Sequence, residues 1–137
     1  MNNNNIKYIF LVVDDDFDEV EIIKNILLEE HNIKIHHLAN GKELIEYLID
    51  NIKKSVFILL DIKMPKKDGL KTLKEIRKNF KTTFPIIIFT NSGSKEDIEK
   101  SYKLGASSYI IKPYTEKELK NTINNIVNYW FKTVILP

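Results

Sequence analysis

The chain has 137 residues, 43% hydrophobic and 29% charged, which suits one soluble globular domain with its own core. Twenty-one basic against 19 acidic side chains leave a net charge of +2 and no electrostatic footprint for nucleic acid. Cysteine is absent, so disulfides, thiolate metal sites and thiol nucleophiles are excluded.

Met1–Asn5 (MNNNN) reads as a polar, disordered tag rather than a signal peptide. No apolar run approaches the roughly 20 residues that cross a bilayer. No membrane partner and a cytoplasmic location are therefore expected. The first strand is expected at about Lys7–Val13, running straight into Asp14-Asp15-Asp16. Phe17, Val20, Ile23, Ile26 and Leu27 then recur at helical spacing, with Asp16 and Glu19 placed for a capping box. Ile33–Leu38 alternates apolar and polar residues, as an edge strand would. Asn40, with Glu43 three residues on, opens a helix whose inner face is Leu44, Tyr47 and Leu48.

Val56–Leu60 (VFILL) is the third strand and ends at Asp61. Asp68-Gly69 resembles a hairpin turn in isolation, but the following Leu70, Leu73 and Ile76 stripe makes Asp68 an N-cap. Ile86–Phe89 runs into Thr90. Ser94 and Asp97 cap a helix that ends near Leu104-Gly105, where Gly105 fits a left-handed C-cap. Ser107–Ile111 runs into Lys112-Pro113. Thr115 and Glu118 open a last helix with Leu119, Ile123, Ile126, Val127 and Trp130 on one stripe.

Short apolar runs bounded in this way read as strands buried on both faces of a parallel sheet. Five strand–helix units in alternation predict an α/β fold, doubly wound as a (βα)5 three-layer sandwich over residues 1–137. The carboxyl ends of the strands then share one edge, where open α/β sheets bind ligands.

Asp14, Asp15, Asp61, Thr90 and Lys112 converge on that edge. Crowded carboxylates repel one another, and a cation among them removes the cost. Carboxylates with room for water and phosphate oxygens suit Mg²⁺ better than zinc. A carboxylate beside Mg²⁺ can attack phosphorus to form an aspartyl-phosphate. Lys112 offers a compact positive charge and Thr90 a hydroxyl donor for the phosphoryl oxygens. No nucleotide motif of the GxxxxGK[ST] or GxGxxG kind is present. His31, His36 and His37 fall on a loop and the second strand, away from the expected crevice. Lys63, Lys66 and Lys67 form a local basic cluster read as a solvated loop. Taken singly, each site residue is as well explained by strand termination or capping. The joint occurrence favours a site.

The segments FLVVDDD, LLDIKMPKKDG, FT and LGASSYIIKPYT, in this order, resemble the receiver domain of two-component response regulators from about Ile6 to about Tyr129. The resemblance implies a flavodoxin-like sheet of strand order 2-1-3-4-5. It implies Asp61 as phosphoacceptor, with Asp14, Asp15, Asp61 and the backbone carbonyl of Lys63 holding Mg²⁺. Thr90 and Lys112 would contact the phosphoryl group, Tyr109 would be the switch aromatic, and Lys112–Pro113 would be cis. A sensor histidine kinase would be the donor. A downstream protein, or a second copy, would read the surface of the fourth helix, fifth strand and fifth helix.

Asn91 stands where the family usually has a small residue. It either hinders donors or binds the phosphoryl group. Lys63 also bears on how water reaches the site. The ending, Trp130 to Pro137, extends beyond a minimal receiver and is similar to that of small receivers paired with phytochrome-type kinases. It either folds onto the core or leaves an apolar patch for a partner. No output domain is visible.

The rival from another class is an aspartate-nucleophile phosphohydrolase of the haloacid dehalogenase kind. Asp14 and Asp16 have its spacing, but Phe17-Asp18 does not complete its motif, and Asp61 is left unexplained. A receiver fold used only for binding, and a flavodoxin-like cofactor binder, rank lower. No acid or lysine is missing, and no phosphate-cradling loop follows the first strand.

Overall fold

The computed structural model describes residues 8–30, 32–64, 68–80 and 83–136. Lys7 and the Met1–Asn5 tag, His31, and Lys66 and Lys67 of the basic cluster lie outside the described residues. The elements alternate as expected: β1 Tyr8–Val13, α1 Phe17–Ile26, β2 Ile33–Leu38, α2 Gly41–Asp50, β3 Val56–Leu60, α3 Gly69–Asn79, β4 Ile86–Thr90, α4 Lys95–Lys103, β5 Ser108–Ile111 and α5 Glu116–Trp130. The five strands form one parallel sheet in the order β2-β1-β3-β4-β5.

The apolar runs produce this sheet because successive side chains point to opposite faces. Leu11, Val13, Ile58, Leu60, Ile86 and Ile88 pack against Leu44 and Leu48 of α2 and Leu73 and Ile76 of α3. Phe10, Val12, Phe57, Leu59, Ile87 and Phe89 pack against Val20 and Ile23 of α1 and Leu119, Ile123 and Ile126 of α5. A helix layer thus covers each face. Burying a side chain of this size contributes about 1.5–3 kcal/mol.

The helix starts follow their capping signals. The side chains of Asp16, Asn40, Asp68, Ser94 and Thr115 each accept a backbone N–H from the first turn of the following helix. At the end of α4, Gly105 has φ +103°, and a Cβ there would meet Arg77 Cγ at 2.8 Å. Gly105 therefore serves both as the left-handed cap and as the seat for Arg77, whose Nε donates to its carbonyl at 2.9 Å.

Three expectations are corrected. β5 is not buried on both faces: it is the sheet edge beyond β4, and Ile111 is 49% exposed. Phe17 leaves the apolar stripe of α1. It is exposed and sets its ring edge against His37, with centroids 5.0 Å apart. The Lys112–Pro113 bond is not cis, as no cis peptide occurs among the described residues. The trans form is the intrinsically favoured one. Ladder pairing already carries the chain to the site, with the Lys112 N–H donating to the Thr90 carbonyl at 2.8 Å.

The tail after α5 folds back. The Phe131 ring lies 5.1 Å from Tyr8 and 5.0 Å from Phe57, and Trp130 lies 5.8 Å from Phe57. Ile135 remains exposed.

Gly69 fixes the joint between the end of β3 and α3. An added Cβ would sit 2.5 Å from both the Asp61 carbonyl oxygen and the Ile62 Cα, and these are backbone atoms that no rotamer can move aside. Gly69→Ala is expected to lower stability by about 1–3 kcal/mol, the usual cost of forced overpacking. Urea denaturation should show this as a lower midpoint with an unchanged slope.

Candidate functional site at the carboxyl edge of the sheet

Strand register brings the site together. Val13 of β1 pairs with Leu60 of β3, so Asp14 and Asp61 leave the sheet side by side. The Asp14 N–H donates to the Leu38 carbonyl at 3.0 Å, and the Asp61 N–H to the Val13 carbonyl at 3.0 Å. Thr90 closes β4, and Lys112 follows β5. Asp14, Asp61, Thr90 and Lys112 are all buried, while Asp15 is exposed.

The Lys112 ammonium is the centre of the arrangement. Its Nζ donates to Asp14 Oδ2 at 2.6 Å and to Asp61 Oδ2 at 3.1 Å, and lies 3.0 Å from Glu19 Oε1. Burial alone would lower its pKa. The hydrogen bond and charge of Asp14, then the charge of Asp61 and the Glu19 contact, reverse that and hold it above the ordinary lysine range. Burial pushes the Glu19 carboxyl up, with Lys112 pulling against it.

Asp14, Asp15 and Asp61 each offer a carboxylate oxygen within 4.8 Å of the other two. Among the described residues one ammonium faces these acids and Glu19, which leaves a surplus of negative charge there. An all-oxygen set with this surplus fits a hard divalent cation. The Thr90 hydroxyl is buried and has no hydrogen-bond partner among the described residues. A polar group left so costs about 1–3 kcal/mol, which a ligand oxygen at this edge would recover.

Around this centre runs a set of polar contacts. The Lys63 N–H donates to Asp61 Oδ1 at 2.9 Å, while the Lys63 ammonium lies 3.3 Å from Asp97 Oδ2 on α4. The Ser92 hydroxyl donates to the same Asp97 oxygen at 2.6 Å. The Tyr109 hydroxyl donates to the Ser92 carbonyl at 2.7 Å. Burial raises the Tyr109 pKa. Asn91 is exposed at the mouth.

Two residues were misjudged from sequence. His37 is not remote from the crevice: its Nε2 lies 2.7 Å from the Asp14 carbonyl and, facing an acceptor, carries the proton. His36 is remote, stacked on Tyr47 at 4.9 Å, with burial lowering its pKa. Glu19 was assigned to the capping box. The Asp16 N–H that such a box would use donates instead to Asp14 Oδ1 at 2.9 Å, which leaves Glu19 free to reach Lys112. A fourth acid, four residues after Asp15, was the available signal.

A cavity of about 530 Å³ lies at the other end of the sheet, lined by Tyr8, Val56, Pro85 and Leu136. It contains none of these groups. The convergence of charge, not the size of the hollow, marks the site.

Fold and site together define a doubly wound α/β protein with an acid-lined crevice at the carboxyl edge of its sheet. The chain belongs to the response regulator receiver domain family, whose model matches residues 10–124, and is thus a receiver domain of two-component signalling. It is 36% identical over 123 residues to the transcriptional regulatory protein CpxR of Klebsiella pneumoniae, covering 88% of this chain and 50% of that protein. It is 32% identical over 109 residues to SrrA of Staphylococcus aureus, covering 80% and 43%. The chain thus spans about half the length of the curated relatives it matches. Among solved structures, the Mn²⁺-bound response regulator Rcp1 superposes with a TM-score of 0.85 at 28% identity, covering 94% of this chain and 98% of that one. The phosphorylated cyanobacterial phytochrome response regulator RcpA gives 0.87 at 30% identity, covering 96% and 98%.

The Ser92–Asp97 contact yields a titration prediction. The Ser92 hydroxyl, helped by Lys63 and Ser94 against a smaller opposing effect of burial, holds Asp97 below the usual carboxylate range. A depressed carboxyl contributes stability above its unfolded pKa and loses it as pH falls through the folded value. Ser92→Ala should move the Asp97 midpoint up toward the ordinary range, read by carboxyl-carbon NMR. The stability that Asp97 contributes at neutral pH should shrink, and its loss on acidification should be smaller and complete at a higher pH.

Proposed function

We propose that Asp61 accepts a phosphoryl group from the phosphohistidine of a sensor histidine kinase. Asp61 is buried at the end of β3, beside the Lys112 ammonium. That pairing of a candidate nucleophile with a phosphate-neutralising cation is the observation that carries the reading. The Asp61 carboxylate attacks phosphorus, the bond from phosphorus to the histidine nitrogen breaks, and the imidazole nitrogen keeps the electron pair. Hydrolysis of the acyl phosphate later returns Asp61 and inorganic phosphate.

Mg²⁺ would be held by Asp14, Asp15, Asp61 and the Lys63 carbonyl, and supplies neutralisation of charge on the transferring group when bound. Lys112 neutralises a phosphoryl oxygen in the same sense, and the partnerless Thr90 hydroxyl donates to another. The Mn²⁺-bound state of Rcp1 and the phosphorylated state of RcpA support both parts. RcpA, a phytochrome response regulator, also supports a phytochrome-type kinase as the donor. Rebonding of Thr90 would shift Tyr109 and the α4–β5–α5 surface, which a partner protein or a second copy reads. The role is stoichiometric rather than that of an enzyme turning over substrate. Among the described residues no helix is long and apolar enough to cross a membrane. A cytoplasmic site of action agrees with a kinase donor.

The phosphohydrolase rival loses support. Its second acid would be Asp16, whose side chain is occupied in accepting the N–H groups of Asp18 and Glu19 at 3.1 and 3.2 Å.

Intact-mass spectrometry after incubation with Mg²⁺ and acetyl phosphate tests the assignment. Wild type should gain one phosphoryl group and Asp61→Asn none. Equal labelling of both proteins would refute it, and repeated turnover of phosphate esters would restore the rival.

A further inference from the structure

Glu19 sits in the first turn of α1, a helix whose cap does not need it. Asp16 caps that turn with its own side chain, and the Asp16 N–H is taken by Asp14. The Glu19 side chain is nonetheless drawn inward, to 19% exposure, with Oε1 3.0 Å from the Lys112 Nζ. We propose that Glu19 is a positioning residue for Lys112, a tether that keeps the ammonium at the carboxyl edge while its other two partners are engaged in chemistry. The proposal rests on the reading of Asp61 as the phosphoacceptor.

Lys112 has three carboxylate neighbours: it donates hydrogen bonds to Asp14 and Asp61, and it meets Glu19 Oε1 as an ion pair at 3.0 Å, an oxygen with no hydrogen bond among the described residues. Asp14 and Asp61 both belong to the trio whose oxygens suit a divalent cation, and Glu19 does not. Transfer of a phosphoryl group converts an Asp61 oxygen into the bridging oxygen of an acyl phosphate. The negative charge that held Lys112 there then passes to the phosphoryl oxygens. Asp14 shares its charge with the cation at the same time. Glu19 alone keeps its role as counter-ion through both events.

Without it, a flexible four-carbon stem has to find the phosphoryl oxygen unaided. The helix places the tether where no strand end could. Asp14 and Asp61 approach from β1 and β3, and Glu19 approaches from α1, the layer packed on the α5 face of the sheet. The Lys112 stem leaves β5 over the Phe89 ring of that same face, with Nζ 5.9 Å from the ring centroid.

The test uses the full chain with Glu19→Ala and Glu19→Gln, each made in wild type and in Lys112→Met. Two quantities are read: phosphoryl incorporation from acetyl phosphate with Mg²⁺, and hydrogen exchange of the Lys112 ammonium by ¹⁵N NMR in metal-free protein. Glu19→Ala should slow incorporation about tenfold or more in wild type, as displaced catalytic groups do. It should have little effect once Lys112 is gone. The ammonium hydrogens should exchange several-fold faster in Glu19→Ala, and Glu19→Gln, which keeps the shape of the side chain but loses its charge, should fall between.

An equal loss in both backgrounds would mean a general structural role and would overturn the proposal. So would unchanged ammonium exchange in folded Glu19→Ala. If Glu19→Ala does not fold, Glu19→Gln decides by the same two readings. A wild type that takes no label on Asp61 would instead sink the phosphoacceptor reading, and the exchange measurement still decides whether Glu19 holds Lys112.

Discussion

The site depends on one ammonium shared by carboxylates from three separate elements. Asp14 follows β1, Glu19 stands on α1 and Asp61 follows β3, and all three meet Lys112 from the end of β5. Buried acids without a counter-charge would protonate or destabilise the fold. Lys112 supplies that counter-charge, and its carboxylate neighbours keep it charged against its own burial. Among the described residues the balance is incomplete, because one positive group cannot neutralise this many acids. That deficit is of the kind a divalent cation would offset, and the parallel sheet makes it possible by lining up the carboxyl ends of its strands on one edge.

Much of the fold was legible because each local signal agreed with the global one. VFILL and IIIF are too short and too apolar for anything but doubly buried strands, and their helices carry capping residues at the expected positions. The acids and the lysine were legible for the same reason: a strand end is identifiable in sequence, and parallel order puts the ends together. What escaped depends on competition between partners. Whether Glu19 closes a capping box or reaches a lysine 93 positions away depends on where the Asp16 N–H points, and no local pattern encodes that. His37 looked remote because alternation along β2 gives its face but not the neighbour at its end. The exposure of β5 followed from its place at the sheet edge, which the resemblance implied but the apolar run SSYII concealed.

The surroundings of Asp61 also connect it to α4. Asp61 accepts the Lys63 N–H, the Lys63 ammonium meets Asp97, Asp97 accepts from Ser92, and the Ser92 carbonyl accepts from Tyr109. Contiguity by itself is no proof of coupling. What gives it physical weight is the packing of α4. Ser101 is the one fully buried residue of that helix, so the element is held by polar contacts at its N-terminus and by Leu104 and Ala106 just after its end, not by an apolar stripe. Elements with few buried apolar contacts open and shift at low free-energy cost. Asp61 and the contact at the start of the least embedded of the described helices thus share one chain of polar contacts. Ile111 of β5, Tyr102 of α4 and Tyr129 of α5 are half-exposed.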